Sequence, residues 1–390
     1  MLHERKGRSL DSMGASDSTV LGADNRPGPK DITWPESVVV ALAVMAAVAV
    51  KVPVLFGYTA DSVEGSSFYA RNASFFVLPL LTVYFIWKRG FRWNRCFWLG
   101  LPFLAAATVA NVLPFMSGGS TEMLTTLHLP IALWLVVGIA YTGGHWSDGH
   151  RRMDFVRFSG ELFIYYTLIA LGGGVFTIFT VFMFNAIGVD VEWFVQDWLL
   201  PCGAMGAVIV ATGLVEAQDD ASANLAPVLT RLFTPLFTVV LLVFLATMLW
   251  TNGSIDVERE VLIGFDLLLV MVLGLLLYAV SARDPTAPPN AFDLLLLSLV
   301  LAALVVDVVA LAAITARISE FGFSPNKVAA LGENLVLLVN LSWSAWIYAR
   351  FLLMRGSFVD LEFWQTRYLP VYSVWAWLVV VTFPPLFGYI

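Results

Sequence analysis

Asp307 stands alone in the run LAALVVDVVALAA, residues 301–313. A carboxylate in such a run must meet a partner or hold something, because an unpaired charge is costly to bury. Five other polar side chains interrupt apolar runs: Lys51, Asn111, His128, Asp266 and Asn340. Counted along their segments, all six fall toward one end, the outer one. The inner half carries little beyond Glu161 and Asp293 near helix ends. That asymmetry is the pattern of a polar cavity open to the outer side. Asp307 would be its proton- or cation-binding carboxylate, and Lys51 and Asp266, at similar depth, could pair. Interhelical hydrogen bonds that only hold a bundle together would use the same residue types. A second chemistry is acid–base work by Glu320, Glu333 and His128 on a lipid-linked substrate. His145, Asp148 and His150 in GGHWSDGHRR, 143–152, are the right types for a metal. Their setting is a basic, glycine-rich loop, and neither a metal site nor a cofactor is expected.

The elements that must position these residues follow from composition. The chain is 59% hydrophobic and 13% charged, with a mean hydropathy of +0.79. A soluble chain could not hide that much apolar surface, so the bilayer is its solvent. A crossing helix needs about 20 apolar residues. Eleven segments qualify: 33–56, 73–87, 96–116, 124–142, 158–187, 198–215, 232–251, 261–280, 291–316, 328–353 and 368–388. The second is short and holds Pro79; the fifth is long and holds GGG at 172–174. The fold class is therefore all-α, a polytopic membrane bundle of about 11 helices, residues 32–390. Residues 1–31, rich in Ser, Asp, Gly and Arg, are expected to form a disordered cytoplasmic tail. Cys96 and Cys202 make no disulfide framework. There is no Walker, GxSxG or HExxH motif, which removes the familiar ATP-driven and hydrolase classes. No soluble domain is long enough for a nucleotide or a nucleic acid.

Basic residues near span ends stay cytoplasmic. With the amino terminus inside, seventeen of the 22 lysines and arginines fall on the inner side. They come from the tail and from the groups Lys88–Arg95, Arg151–Arg157, Arg231, Arg283, Arg350–Arg355 and Arg367. Arg71, Arg259, Arg317 and Lys327 fall outside, and Lys51 lies within a span. Missing or adding one span would destroy this bias. It places the carboxyl terminus on the outer side of a cell membrane. NAS at 72–74 and NGS at 252–254 then match a glycosylation pattern on that side.

Two stretches echo each other. SGELFIYYTL, with Gly160 and Glu161, is followed by VDVEWFVQDWLLP at 189–201. LGENLVLLVNL, with Gly332 and Glu333, is followed by VDLEFWQTRYLP at 359–370. Five spans separate the copies, an odd number, so the second would be upside down. This predicts a 5+5 inverted repeat plus one extra helix, an arrangement found in transporters. Coincidence within apolar sequence is the competing reading.

The join RISEFGFSPNKVAALGENLVLLVNL, 317–341, reads as a tight turn between two long helices. Gly322 suits a left-handed C-cap, with Phe323 packing back on Ile318. Ser324 suits the N-cap and Pro325 the first helical position. Phe323 and Val328 have staple spacing, and Arg317 and Glu320 can pair. The same stretch resembles the turn motif of a bacterial multi-pass membrane family catalogued as domain of unknown function 4153, related to 4173. Gly322, Ser324, Asn326 and Lys327 carry the motif, and APVLTRLFTPLFTVVLLVFLATML, 226–249, is similar to that family's Pro-Leu helix. Lys327 stands where Arg is commoner, and Val328 where an aromatic is. The resemblance covers roughly 150–350 and implies a bacterial inner-membrane protein, without a reaction, cofactor or catalytic residue.

These readings lead to a permease-like, ion-coupled transporter of a small solute, embedded in the lipid bilayer. A membrane enzyme or a non-catalytic subunit or sensor are the alternatives.

Overall fold

Residues 36–59, 61–91, 93–217, 226–250 and 259–390 are described by the structure, a computed structural model. The expected tail 1–31 and the NGS pattern lie outside the described residues. In chain order the helices are α1 (Glu36–Ala49), α2 (Val63–Asn72), α3 (Leu78–Lys88), α4 (Trp93–Val112), α5 (Ser120–Tyr141), α6 (Gly149–Ala186) and α7 (Glu192–Phe194). Then come α8 (Leu200–Glu216), α9 (Ala226–Trp250), α10 (Arg259–Ala282), α11 (Ala291–Phe321), α12 (Pro325–Leu352) and α13 (Phe358–Leu386). No strand occurs among the described residues. Among the described residues ten helical segments are long and apolar enough to cross a membrane, and Cys96–Val112 is a shorter apolar helix. The chain is a multi-pass membrane protein with an all-α bundle. In that solvent a helix satisfies its own backbone polar groups, which is why the apolar runs take this form.

Caps explain where helix ends differ from the apolar runs. The second segment begins at Val63 because Ser62 caps α2 by accepting from Gly65 N at 3.0 Å. Pro79 sits in the first turn of α3, where a missing N–H costs nothing. The third helix stops at Val112 rather than 116; Pro114 lacks a donor and disfavours helix in the residue before it. The fifth starts at Gly149 rather than 158, because Asp148 caps it through His150 N at 3.0 Å. At 38 residues α6 is about 57 Å long, well beyond the bilayer core, and GGG at 172–174 leaves it unbroken. The eleventh starts at Phe358 rather than 368, under a capping box of Ser357 and Asp360.

Contacts between helix ends obey strict alternation of the eleven segments. On the face carrying Lys88, Arg157, Arg283 and Arg350, hereafter the basic face, Lys88 pairs with Glu216, Arg157 Nε donates to Ser281 O at 2.9 Å, and Tyr348 OH donates to Asp293 at 2.9 Å. On the far face Arg71 pairs with Glu122 and Asn72 with Asn111. There too, Met116 N and Thr121 N donate to Tyr389 O and Ile390 O at 3.0 and 2.7 Å. An extra or missing crossing would put such partners on opposite faces.

Two apolar cores organise the bundle. One gathers α1, α3, α4, α5 and α8 around Phe85, Leu129 and Leu133. The other gathers α9 to α13 around Leu269, Leu276, Leu299, Leu341 and Tyr348. Residues of α6 enter both: Phe155, Phe158 and Leu162 the first, Met153 and Val156 the second. Some packing partners recur one period apart, although α9 packs on α10 and α11 on α12 without comparable α3–α4 or α5–α6 packing among the described residues. α3 and α4 pack on α5, and α6 on α8; five segments later α9 and α10 pack on α11, and α12 on α13. Contacts between the two sets are not mirrored: α5 packs on α12 and α13, while α11 has no comparable packing on α6 or α8 among the described residues. The echoing residues also differ locally. Asp190 precedes α7 and accepts from Glu192 N, whereas Asp360 is inside α13. Pro201 lies in the first turn of α8, whereas Pro370 lies inside α13. Gly160 and Gly332 do share a use, each lying under a ring. An added Cβ would fall 2.4 Å from Tyr278 and 1.9 Å from Trp375 respectively.

The second core is closed at the basic face by Arg283. Its Nε donates to Asp293 Oδ1 at 2.9 Å and its Nη2 to Asp293 Oδ2 at 3.0 Å. Its guanidinium carbon lies over the rings of Phe351 and Phe358, 4.8 and 4.4 Å from their centroids. Asp293 also completes the capping box of α11 with Asn290. This cluster ties α10, α11, α12 and α13 at one level. Breaking a buried pair on one side costs about 3–5 kcal/mol. Asp293→Ala is therefore expected to lower the melting temperature of the detergent-solubilised protein strongly, and Arg355→Ala, on an exposed loop, to leave it in place. Equal melting temperatures for the two would show that the pair does not close this core.

Candidate functional site

Asp307 lies in the middle of α11, sixteen residues from Ala291 and fourteen from Phe321, or roughly 24 and 21 Å by helical rise. It is 0% exposed, and neither carboxylate oxygen has a hydrogen-bond partner. Its helix packs on α9, α10 and α12. Asp266 of α10 and Glu333 of α12 lie on helices that pack on α11. Asn334, 0% exposed, donates to Asp266 Oδ1 at 2.8 Å and to Ala330 O at 2.8 Å, and its own Oδ1 has no donor. Three buried oxygens, two on Asp307 and one on Asn334, are thus acceptors without donors. Buried acceptors of this kind are costly unless something supplies positive charge or a proton. Among the described residues no group of three or more His, Cys, Asp or Glu side chains is arranged to hold a metal ion. The arrangement suits a proton or a weakly held monovalent cation, for which backbone and amide oxygens are adequate ligands.

Asn340 is not part of this group. Six residues beyond Asn334, it points in a direction about 120° away around the helix axis, toward α13. There its Nδ2 donates to Gln365 Oε1 at 3.1 Å and to the Tyr372 hydroxyl. Its Oδ1 accepts from Ser344 Oγ at 2.9 Å and Trp364 Nε1 at 2.8 Å. Gln365 Nε2 returns to Ser344 Oγ at 2.7 Å. This network is satisfied and welds α12 to α13.

The other candidates are also dispersed. Lys51 follows α1, half-buried, with its Nζ 4.8 Å from the Trp198 ring centroid. It lines a far-face pocket of about 560 Å³ with Asp61, Tyr69, Gln196 and Asp197. The expected Lys51–Asp266 pair does not form, because α1 packs on α8 while α10 packs on α9 and α11. Asn111 and Asn72 exchange reciprocal amide bonds, both 2.9 Å. Asn72 is buried in that pair, which removes NAS as a modification site. His128 is buried on α5 with Nδ1 2.9 Å from Leu124 O. No hydrogen bond or ion pair joins Glu320, Glu333 and His128 among the described residues, and Glu320 is exposed at the end of α11. His145 Nδ1 lies 3.2 Å from Arg151, and Asp148 serves as the α6 cap.

The 317–341 join is a capped turn, with corrections to its details. Gly322 has φ 74° but ψ −179°, so it is extended rather than left-handed helical, a conformation open to glycine alone. Phe323 is 76% exposed and staples nothing. Ser324 occupies the N-cap with an extended backbone, and its hydroxyl makes no cap bond. No ion pair joins Arg317 to Glu320 among the described residues. Lys327 provides the cap instead: its Nζ donates to Gly322 O at 2.9 Å and Arg317 O at 3.4 Å. Asn326 Nδ2 donates to Ser120 Oγ at 3.1 Å, tying the turn to α5.

Sequence reading missed Trp364 and Gln365 because α13 was expected to begin at 368, and missed Tyr372 because a tyrosine in a span carries no charge to mark it; Asn340 and Ser344 at i, i+4 were the available signal. Glu122 was missed for the same reason at α5. It is buried, pairs with Arg71 and accepts from Gly118 N at 2.7 Å. No family model, curated protein or solved structure matches the chain.

Replacing Asn340 by Leu strands the Gln365 Oε1 acceptor and removes the side-chain acceptor of the Trp364 N–H. Each stranded group costs about 1–3 kcal/mol, while removing both partners together costs less. Thermal unfolding of Asn340→Leu should therefore show a large loss that Gln365→Leu in the same chain partly restores. Strictly additive losses would show that the two side chains are not coupled.

Proposed function

We propose that the chain is a permease-like transporter of a small solute, coupled to protons or a monovalent cation through Asp307. The observation that carries this reading is the fully buried Asp307 carboxylate, both oxygens unpartnered, on a helix packed against the two that carry the Asn334–Asp266 hydrogen bond. An ionisable residue held inside a membrane bundle without a partner is costly as structure and useful as a carrier of charge. The recurrence of packing one period apart, with an odd number of segments between copies, supports an inverted repeat of the kind transporters use. Asp307, Asp266 and Glu333 would then belong to the second repeat, α9 to α13. The motif at 322–327 and the helix at 226–249 support placing the chain with the bacterial family resembled above, and hence in a bacterial inner membrane.

In this reading the basic face is cytoplasmic, and the amino terminus lies with it. Phe323 on the far-face turn is exposed enough to report on this. Phe323→Cys, with Cys96 and Cys202 replaced by Ser, should react with a membrane-impermeant maleimide on intact spheroplasts. Labelling only after lysis would reverse the orientation.

Coupling is tested in proteoliposomes carrying an internal pH dye, or loaded for sodium flux, and offered a panel of amino acids, sugars, nucleosides and organic acids. At least one solute should drive ion movement, and Asp307→Asn should abolish the coupled flux while the protein still folds. A solute flux that Asp307→Asn leaves unchanged would remove Asp307 from the mechanism.

A further inference from the structure

Between the basic-face ends of α12 and α13 lies a pocket of about 430 Å³ that the transport reading does not use. Its cations are Arg350 and Arg367. Both are exposed, and neither has an ion-pair partner among the described residues. Trp343, Trp346 and Trp364 form its wall, with ring centroids 4.8 Å apart for Trp343–Trp346 and 5.6 Å for Trp343–Trp364. Arg350 lies 4.8 Å from the Trp346 ring, and Arg367 5.5 Å from Phe363. The only carboxylate in the lining, Asp360, is engaged at its Oδ2 with Ser357 N in the cap of α13. The pocket is therefore positive as well as aromatic. The two arginines are staggered: Arg367 stands where the apolar run of α13 begins, and Arg350 nearer the helix ends.

An apolar track leads away from the pocket. Leu335, Val339, Trp343 and Trp346 are exposed at steps of four, four and three along one face of α12, running toward the membrane interior. A ligand that fits this geometry has an anionic head at the arginines and a long apolar tail along the track. Guanidinium groups pair with phosphate oxygens through paired N–H donors, and tryptophan prefers the membrane interface.

We propose that this groove is a binding site for an anionic phospholipid of the leaflet on the basic face. Its phosphate sits between Arg350 and Arg367, and one acyl chain lies along Leu335, Val339 and Trp343. Because Trp364 donates to Asn340 Oδ1, an occupied site also braces the network that joins α12 to α13.

The test is native mass spectrometry of the full-length protein in detergent, titrated with phosphatidylglycerol, phosphatidylcholine or inorganic phosphate. Phosphatidylglycerol should be retained in preference to phosphatidylcholine. The double variant Arg350→Gln/Arg367→Gln should weaken its binding by at least about tenfold. Arg151→Gln, on the same face but outside the groove, should change little. Equal retention of the two lipids by the unaltered protein overturns the proposal whatever the variants do. So does undiminished phosphatidylglycerol binding in the double variant. Competition by millimolar inorganic phosphate that displaces the lipid completely would make the site one for a small anion, and would overturn it as well.

Discussion

The Arg283–Asp293 pair is the constraint on which the second half of the bundle rests. It sits at the connection between α10 and α11, where both helices would otherwise be free to slide. Asp293 caps α11, holds Arg283 and accepts from Tyr348 of α12, while Arg283 lies over Phe351 of α12 and Phe358 of α13. Four helices are therefore held at a common height. Burying two charges is expensive, and the expense is met here by hydrogen bonds on both partners. What the pair contributes is register: it decides which residues of α10, α11 and α12 meet in the interior.

That register produces a contrast between two polar clusters inside one core. Around Asn340 no buried polar side-chain atom lacks a partner, and the cluster behaves as structure. Around Asp307 acceptors outnumber donors, and the cluster holds oxygens with nothing bonded to them. In an apolar solvent the first arrangement is a fastener, whereas the second leaves acceptors that are costly to bury. Asn334 belongs to both descriptions, fastened through its amino group and open at its oxygen.

The same division separates the two faces. On the far face Lys327 caps the carbonyls ending α11, and Asn72 and Asn111 close on each other, so these polar residues are spent on structure. On the basic face Arg283 is enclosed, whereas Arg350 and Arg367 stand beside aromatic rings, Trp346 and Phe363, without an ion-pair partner among the described residues. A bilayer with anionic headgroups is the natural counter-charge there.

The sequence by itself determined the number of helical segments, their alternation and the basic bias of one face. These depend on apolar length and on charge near helix ends, both local properties. It also singled out Asp307 and Asp266, because an ionisable residue in an apolar run is conspicuous without any knowledge of neighbours. Local capping set the helix ends, and there the apolar runs misled: Asp148 and Ser357 start helices well before the hydrophobic residues do. Only the tertiary structure decided which polar residues meet. Lys51 and Asp266 have matching depth but belong to different cores. Asn334 and Asn340 share a helix but point to different neighbours. Rotation about a helix axis and the choice of packing partner settle such meetings, and depth along a segment carries information about neither.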